Sequence, residues 1–249
     1  MIFHQLFEPL SNTYTYLIGC EDSGQAVLVD PVVPTVERDL EKLSSLGLTL
    51  AMTIETHVHA DHITSALILR DRVASKIAFP AVDNLPCVDL RIEDEIPVQL
   101  GSVSLQPLFT PGHTDDHFCF LVNDRLLSGD CLLIDGCGRP DFQNGDAIQL
   151  YHSISDKLYR LGEDTLVYPG HDYERRFVSS IAQEKARNSH INQHTSEDEF
   201  VQTMAELNLP HPKFIEYAVP GNQLCGECPS DLPENMEKYC QQMTESPQD

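Results

Sequence analysis

No apolar run in this 249-residue chain reaches the ~18–20 residues that a membrane-spanning helix needs. Basic residues are also scarce. Sixteen Lys and Arg stand against 39 Asp and Glu, a net charge of −23. That balance excludes nucleic acid as a partner, because phosphate binding needs clustered Lys and Arg. It also disfavours an anionic membrane surface, and an anionic substrate would need a local basic patch. The acidity is strongest at the end: residues 196–249 carry eleven acidic side chains and only Lys213 and Lys238 as basic ones. Met1-Ile-Phe-His-Gln has no basic region followed by an apolar core and no Arg-rich amphipathic pattern. Neither a signal nor a transit peptide is therefore expected, and the cytoplasm is the expected compartment. Short-period repeats and low-complexity tracts are absent.

The eight cysteines, Cys20, Cys87, Cys119, Cys131, Cys137, Cys225, Cys228 and Cys240, lack the density of a disulfide scaffold. Most are expected as reduced thiols. Cys225-Gly-Glu-Cys228 has CxxC spacing without a second CxxC. A structural zinc site with Cys240 and a redox pair are both open readings, and no βα pattern surrounds the segment.

What the chain does contain is alternation of strand-like and helix-like runs. Tyr14–Gly19 and Ala26–Asp30 read as a hairpin about Glu21-Asp22-Ser23-Gly24. Val36–Leu46 has helical spacing, with Val36, Leu40, Leu43 and Leu46 on one face. Leu50–Glu55 reads as a strand, Ile63–Val73 as a helix and Lys76–Phe79 as a short strand. Val103–Phe109, Phe118–Val122 and Arg125–Ser128 are strands; Ala147–Leu161 is a helix. Leu166–Tyr168 is a strand, followed by helices over Glu174–Arg187 and Glu197–Leu207. Beyond Leu209 the pattern loosens and proline becomes frequent. Two β-rich halves, each followed by helices, predict an α/β fold, an αββα sandwich of two mixed sheets with helices outside. One domain over 1–249 is expected, with an acidic, Pro-rich extension from about residue 226.

The densest chemistry is Thr56-His-Val-His-Ala-Asp-His62, directly after the apolar run Leu48–Ile54. Imidazoles and carboxylates are ligands for first-row metals. Three further segments offer ligand-type side chains at turns: Thr110-Pro-Gly-His113-Thr, Ser128-Gly-Asp130 and Tyr168-Pro-Gly-His171-Asp172. His57 and His59 are two apart, so an extended strand would point them to opposite faces and the loop must turn. Two imidazoles and one carboxylate on one face of a metal suit Fe(II) and dioxygen. If all the groups bind metal, two ions could activate a bridging hydroxide. Residue types alone permit both.

These four segments, in this order and spacing, resemble the metallo-β-lactamase superfamily. Finer stretches resemble its persulfide dioxygenase (sulfur dioxygenase) branch. They are Phe7-Glu-Pro-Leu-Ser-Asn-Thr-Tyr-Thr-Tyr16, Gly129-Asp-Cys-Leu-Leu-Ile-Asp-Gly-Cys-Gly-Arg-Pro-Asp-Phe-Gln143 and Ala218-Val-Pro-Gly-Asn222. The similarity runs from about residue 2 to about residue 226. It implies one Fe(II) per chain held by His57, His113 and Asp130, with His59 and His62 as outer groups that orient them. It implies oxidation of glutathione persulfide by O₂ and water to sulfite and glutathione, in sulfide and persulfide oxidation. Asp61 and His171 are the candidates for moving protons, and Tyr173 for a hydrogen bond to substrate. Arg139 is expected either to pair with a substrate carboxylate or to hold its loop; Arg187 is a further candidate substrate contact. Cys137 is expected near the mouth of the site, and a homodimer is implied.

The chain departs from the family pattern at Asp116, Asp135, Pro140, Glu174-Arg175-Arg176 and His190. The last stands where an arginine would be expected to hold glutathione, a role open to Arg175, Arg176 or Arg187, and another low-molecular-weight persulfide would fit the changes. The main rival is a dinuclear thioester hydrolase of the hydroxyacylglutathione hydrolase type, with Asp61, His62 and His171 as further ligands. Its basic C-terminal glutathione contacts are lacking here. A non-enzymatic binding protein is disfavoured, because every ligand is present.

Overall fold

A computed structural model describes residues 1–207, 209–210, 212–230 and 240. The chain divides into two compact units. The first comprises Met1–Arg91, Leu100–Val103 and the described part of 211–249; the second comprises Ile92–Gln99 and Ser104–Pro210.

The first unit is built on a six-stranded sheet in the order β1-β2-β3-β4-β5-β6. The strands are β1 Ile2–Glu8, β2 Thr13–Cys20, β3 Gln25–Val29, β4 Thr49–Ile54, β5 Lys76–Pro80 and β6 Leu90–Ile92. β2 is buried along its whole length between antiparallel β1 and β3, as its near-continuous apolar and aromatic content requires. The expected hairpin is β2–β3. β1 went unread because its half-buried positions mix His4 and Gln5 with apolar residues. β3, β4 and β5 run parallel, and parallel neighbours need crossovers. These are α1, Val36–Ser45, and α2, Ala66–Val73, both packed on β4. Val29 pairs with Ile54, so Asp30 and Glu55 leave the sheet side by side at its carboxyl edge, where open α/β sheets bind ligands.

The helix expected from Ile63 begins three residues later. Backbone groups ahead of it are engaged elsewhere: Ile63 O accepts from Val33 N (3.1 Å) and Ser65 N donates to Pro31 O (2.9 Å). A further helix, Ile215–Asn222, lies in the loosely patterned stretch beyond Leu209, with Pro220 inside it.

The second unit carries the sheet β12-β11-β10-β9-β8-β7. Its strands are β7 Val98–Leu100, β8 Val103–Phe109, β9 Phe118–Val122, β10 Arg125–Gly129, β11 Leu166–Pro169 and β12 Ser179–Ser180. β10 and β11 are parallel and Gly129 pairs with Pro169. This register sets Asp130 beside Gly170-His171. Phe109 pairs with Phe118, which sets Thr110 beside His117. The helices are α3 Ala147–His152, α4 Ile181–Arg187 and α5 Glu197–Glu206; the Ile215–Asn222 helix of the first unit is α6. The helix expected over Ala147–Leu161 continues past α3 as a wide turn over Ser153–Lys157 and a tight one over Leu158–Arg160. The core of this unit includes Leu126, Leu150, Ile154, Leu158, Val167 and Phe200.

Two expectations need correction. The helix expected over Glu174–Arg187 exists only from Ile181. Arg175 and Phe177 have φ of +55° and +71°, incompatible with a right-handed helix. The Asp172 carboxylate instead accepts from Glu174 N (3.1 Å) and Phe177 N (2.7 Å). The second correction concerns thiols. Cys87 is bonded to Cys225 and Cys228 to Cys240, so the two CxxC cysteines pair with other cysteines and form neither a zinc site with Cys240 nor a pair with each other. Cys20, Cys119, Cys131 and Cys137 are free and buried. The acidic extension lies largely outside the described residues.

Gly112 fixes how the chain enters His113. Its φ is +135°, and a Cβ there would lie 2.2 Å from Leu150 N, which is backbone. Gly112→Ala is expected to destabilise the protein by more than about 1 kcal/mol, read as a lower urea midpoint at unchanged m-value.

Candidate metal centre

In the first unit the ligand-bearing loop starts at Glu55. Asp30, in a left-handed conformation with φ +51°, presents its carboxylate to this loop. It accepts from Thr56 N (2.7 Å) and from the Thr56 hydroxyl (3.0 Å). With that hydroxyl proton committed to Asp30, Thr56 Oγ1 accepts from His57 Nδ1 (3.0 Å). The hydrogen bond fixes the Nδ1–H tautomer and leaves Nε2 as the donor to a metal.

The loop does turn. The His57 and His59 rings are 4.2 Å apart and the His59 and His62 rings 4.3 Å. His59 Nε2 faces Asp30 Oδ1 (3.1 Å) and Glu55 Oε2 (3.4 Å). Its Nδ1 is buried with no hydrogen-bond partner among the described residues. Burial by itself lowers the His59 pKa, but the Asp30 charge and hydrogen bonds to Asp30 and Glu55 outweigh it and raise the pKa well above the ordinary imidazole value. Burial raises that of Glu55. His62 Nδ1 meets Asp61 Oδ2 at 3.1 Å and Thr13 Oγ1 at 3.3 Å. His59, Asp61 and His62 each offer one ligand atom within a 4.8 Å cluster, which brings together two of the three residues, Asp61 and His62, that a second ion would use.

In the second unit the TPGH turn carries His113. Its Nδ1 donates to Arg139 O (2.7 Å), again leaving Nε2 as the metal-facing nitrogen. Asp130 Oδ2 lies 3.6 Å from His113 Nε2 and 3.5 Å from His171 Nε2. These separations are too long for hydrogen bonds. They are close to the roughly 3.0–3.4 Å between ligand atoms that share a metal through bonds of about 2.1 Å. Asp130 Oδ1 is buried and has no hydrogen-bond partner among the described residues. Asp130 Oδ2, set near two imidazole nitrogens at distances too long for hydrogen bonds, fits a cation. The backbone leaves room for this arrangement only through glycine. A Cβ at Gly170 would lie 2.6 Å from Asp130 Oδ1, and one at Gly138 would lie 2.4 Å from Asp130 O and 2.6 Å from His113 Nδ1.

The substrate-facing candidates separate. The Arg139 guanidinium makes two 2.6 Å bonds to Asp141, donates to Pro210 O (2.8 Å) and lies over the Phe142 ring. It holds its loop, and its backbone oxygen orients His113. Tyr173 is 71% exposed and stacks on His171, with ring centroids 5.9 Å apart. Arg187 Nε meets Asp135 Oδ1 at 3.1 Å, and Arg176 pairs with the other oxygen of the same carboxylate. His190 stands on the Cys137 backbone, accepting from Cys137 N at 3.3 Å, and burial lowers its pKa. Burial pushes the Cys137 thiol up, so it stays protonated.

Three supporting residues escaped the sequence reading. Asp30 ends an apolar run as Asp130 does, and that parallel was a usable signal. Glu55 follows β4 in the same way. His117 accepts from Asp130 N (3.1 Å) and meets Thr110 Oγ1 at 3.0 Å, a role visible only through strand register. The Thr56 relay is directly testable. Thr56→Val should weaken Fe(II) or Co(II) binding by about 10–100-fold in a competition titration while leaving the fold intact by circular dichroism.

Comparison with known proteins agrees with this arrangement. The Metallo-beta-lactamase superfamily matches residues 9–78 and 74–171. The mitochondrial persulfide dioxygenase ETHE1 of Homo sapiens is 42% identical over 228 residues, covering 91% of this chain and 89% of its own length. The crystal structure of ETHE1 from Myxococcus xanthus superposes with a TM-score of 0.88 at 49% identity, covering 91% of this chain and all of that one. A hydroxyacylglutathione hydrolase of Polaromonas sp. is more distant, 34% identical over 178 residues, 69% of this chain and 66% of its own. The chain has the metallo-β-lactamase fold, two mixed sheets with helices, and it belongs to the persulfide dioxygenase family of the metallo-β-lactamase superfamily, a family of oxidoreductases.

Proposed function

We propose that the two units act as one catalytic domain in which His57, His113 and Asp130 hold a single Fe(II). In this reading the enzyme oxidises glutathione persulfide, or a related low-molecular-weight persulfide, with O₂ and water to sulfite and thiol. The observation that carries it is the preset chemistry of the donors. Two histidines have Nδ1 tied as a donor, to Thr56 Oγ1 and Arg139 O, and Asp130 has an orphan oxygen. Neutral imidazole and carboxylate in a set of three leave open positions, which suits non-haem iron. When bound, an iron held by these residues would supply the redox chemistry by which dioxygen oxidises the persulfide sulfur.

The protein's own groups do the rest. Thr56 and Arg139 O hold both rings by Nδ1 and leave each Nε2 aimed outward. Asp61 and His171 move protons, and Tyr173, stacked on His171, hydrogen-bonds the persulfide carrier. His59 and His62 remain outer groups, since His59 Nε2 is turned to Asp30 and Glu55. Arg187, whose Nε pairs with the carboxylate it shares with Arg176, recognises the carrier's carboxylate, and Arg139 shapes the loop whose backbone oxygen orients His113. Among the described residues no helix is long and apolar enough to cross a membrane. The family resemblance supports a homodimer.

The test is O₂ uptake by anaerobically purified, Fe(II)-loaded protein given glutathione persulfide, with sulfite assayed alongside. Uptake matched by sulfite and abolished by His113→Ala is expected. No uptake, with S-lactoylglutathione hydrolysis by Zn- or Mn-loaded protein, would overturn the reading in favour of the hydrolase. For the carrier site, Arg187→Ala should raise KM for the persulfide about 3–10-fold at nearly unchanged kcat, the signature of lost uniform binding. A fall in kcat with KM unchanged would remove Arg187 from substrate recognition.

A further inference from the structure

The C-terminal helix α6 ends on a side chain with no evident business at a helix terminus. Asn222 is fully buried, and all three of its side-chain bonds go to the loop that carries the histidines, about 160 residues earlier. Its Nδ2 donates to His59 O (2.9 Å) and His62 O (2.8 Å), and its Oδ1 accepts from Thr64 N (2.9 Å). The amide orientation is unambiguous, because the flipped form would set an oxygen against two carbonyls. No other residue type of this size offers two donors and an acceptor in one plane.

The segment around Asn222 is itself pressed onto the loop. Leu67 N donates to Cys225 O (3.1 Å), and Cys225 N donates to Asn222 O (2.9 Å). Gly226 has φ +97°, and a Cβ there would come 2.1 Å from Thr64 O. The Cys87–Cys225 disulfide ties the same turn to the segment after β5. The histidine loop is held by Asp30 from within its sheet and by Asn222 from the far end of the chain.

We propose that Asn222 is a positioning residue for the oxidation reaction: its amide fixes the backbone at His59 and His62 and so the direction of the histidine loop from which His57 projects. This rests on the function proposed above for its catalytic consequence, but the structural part is independent of it. The bonds span both outer histidines, so losing them frees the loop between residues 59 and 64 while the sheet below keeps its own ladder. Asp in place of Asn keeps the shape and the acceptor for Thr64 N, removes both donors and sets negative charge against two carbonyls.

The experiment compares wild type, Asn222→Asp and, as a control in the same segment, the exposed-site variant Leu224→Ala. Amide hydrogen exchange is measured first on metal-free protein. Thr64 N–H is expected to be protected in wild type, and Asn222→Asp is expected to speed exchange at residues 59–64 by at least about tenfold while β2 and β4 stay protected. An unprotected Thr64 amide in wild type overturns the proposal without any variant. Equal acceleration throughout the sheet overturns it too, since that reports general destabilisation. With iron loaded, kcat in Asn222→Asp is expected to fall about 10–100-fold with KM within twofold, and the control to match wild type. Kinetics of Asn222→Asp that match the control overturn the catalytic part. Wild-type protein inactive on persulfide overturns the proposed function and leaves the exchange result standing.

Discussion

A single buried carboxylate organises the histidine loop. Asp30 takes a strained left-handed conformation at the end of β3 and spends its lone pairs on Thr56 N, Thr56 Oγ1 and His59 Nε2. Because the Thr56 hydroxyl donates to Asp30, it can only accept from His57, and the tautomer of a proposed metal ligand is set through two hydrogen bonds. Buried polar groups are costly unless every partner is in place. Here both Asp30 oxygens have partners while His59 Nδ1 keeps none among the described residues, and the network works only because β3 and β4 are parallel neighbours in the register that brings Val29 opposite Ile54. Removing the Asp30 charge would leave Thr56, His57 and His59 without their common reference.

The second unit repeats the idea with different parts. β10 and β11 are parallel, and pairing of Gly129 with Pro169 delivers Asp130 and His171 side by side. Each unit thus places ligand-type residues just past the carboxyl ends of paired parallel strands, except that His113 follows β8, which pairs antiparallel with β9. The rigid element is the sheet, the variable element is the loop, and precision comes from short hydrogen bonds to backbone: Arg139 O for His113 and the Asn222 amide for the carbonyls of His59 and His62. Glycines at 112, 138 and 170 mark where one backbone passes too close to another atom for a Cβ.

Much of this was legible in the sequence, for physical reasons. The ligand clusters follow apolar runs, and strands such as β4, β8 and β10 kept their expected places because their patterns are unbroken. The resemblance to persulfide dioxygenases rested on whole segments, and the comparisons agree with it. What was illegible depends on distance along the chain. The long helix expected over Glu174–Arg187 was displaced by Asp172 capturing two backbone amides. The cysteine pairs join residues separated by 138 and 12 positions, which no local pattern reports. Helix α6 contains Pro220 and so reads as a breaker, yet it delivers Asn222. The sequence leaves Arg139 open between a substrate contact and a loop tie, because its partners Asp141 and Pro210 O are fixed by the fold.

The central claim is one iron on His57, His113 and Asp130. The most direct test is a crystal of anaerobically Fe(II)-loaded protein with anomalous difference maps on both sides of the iron edge. The account predicts one iron peak per chain, bonded to His57 Nε2, His113 Nε2 and an Asp130 carboxylate oxygen. A second peak bonded to Asp61, His62 and His171, or a single peak at that second position, would contradict it.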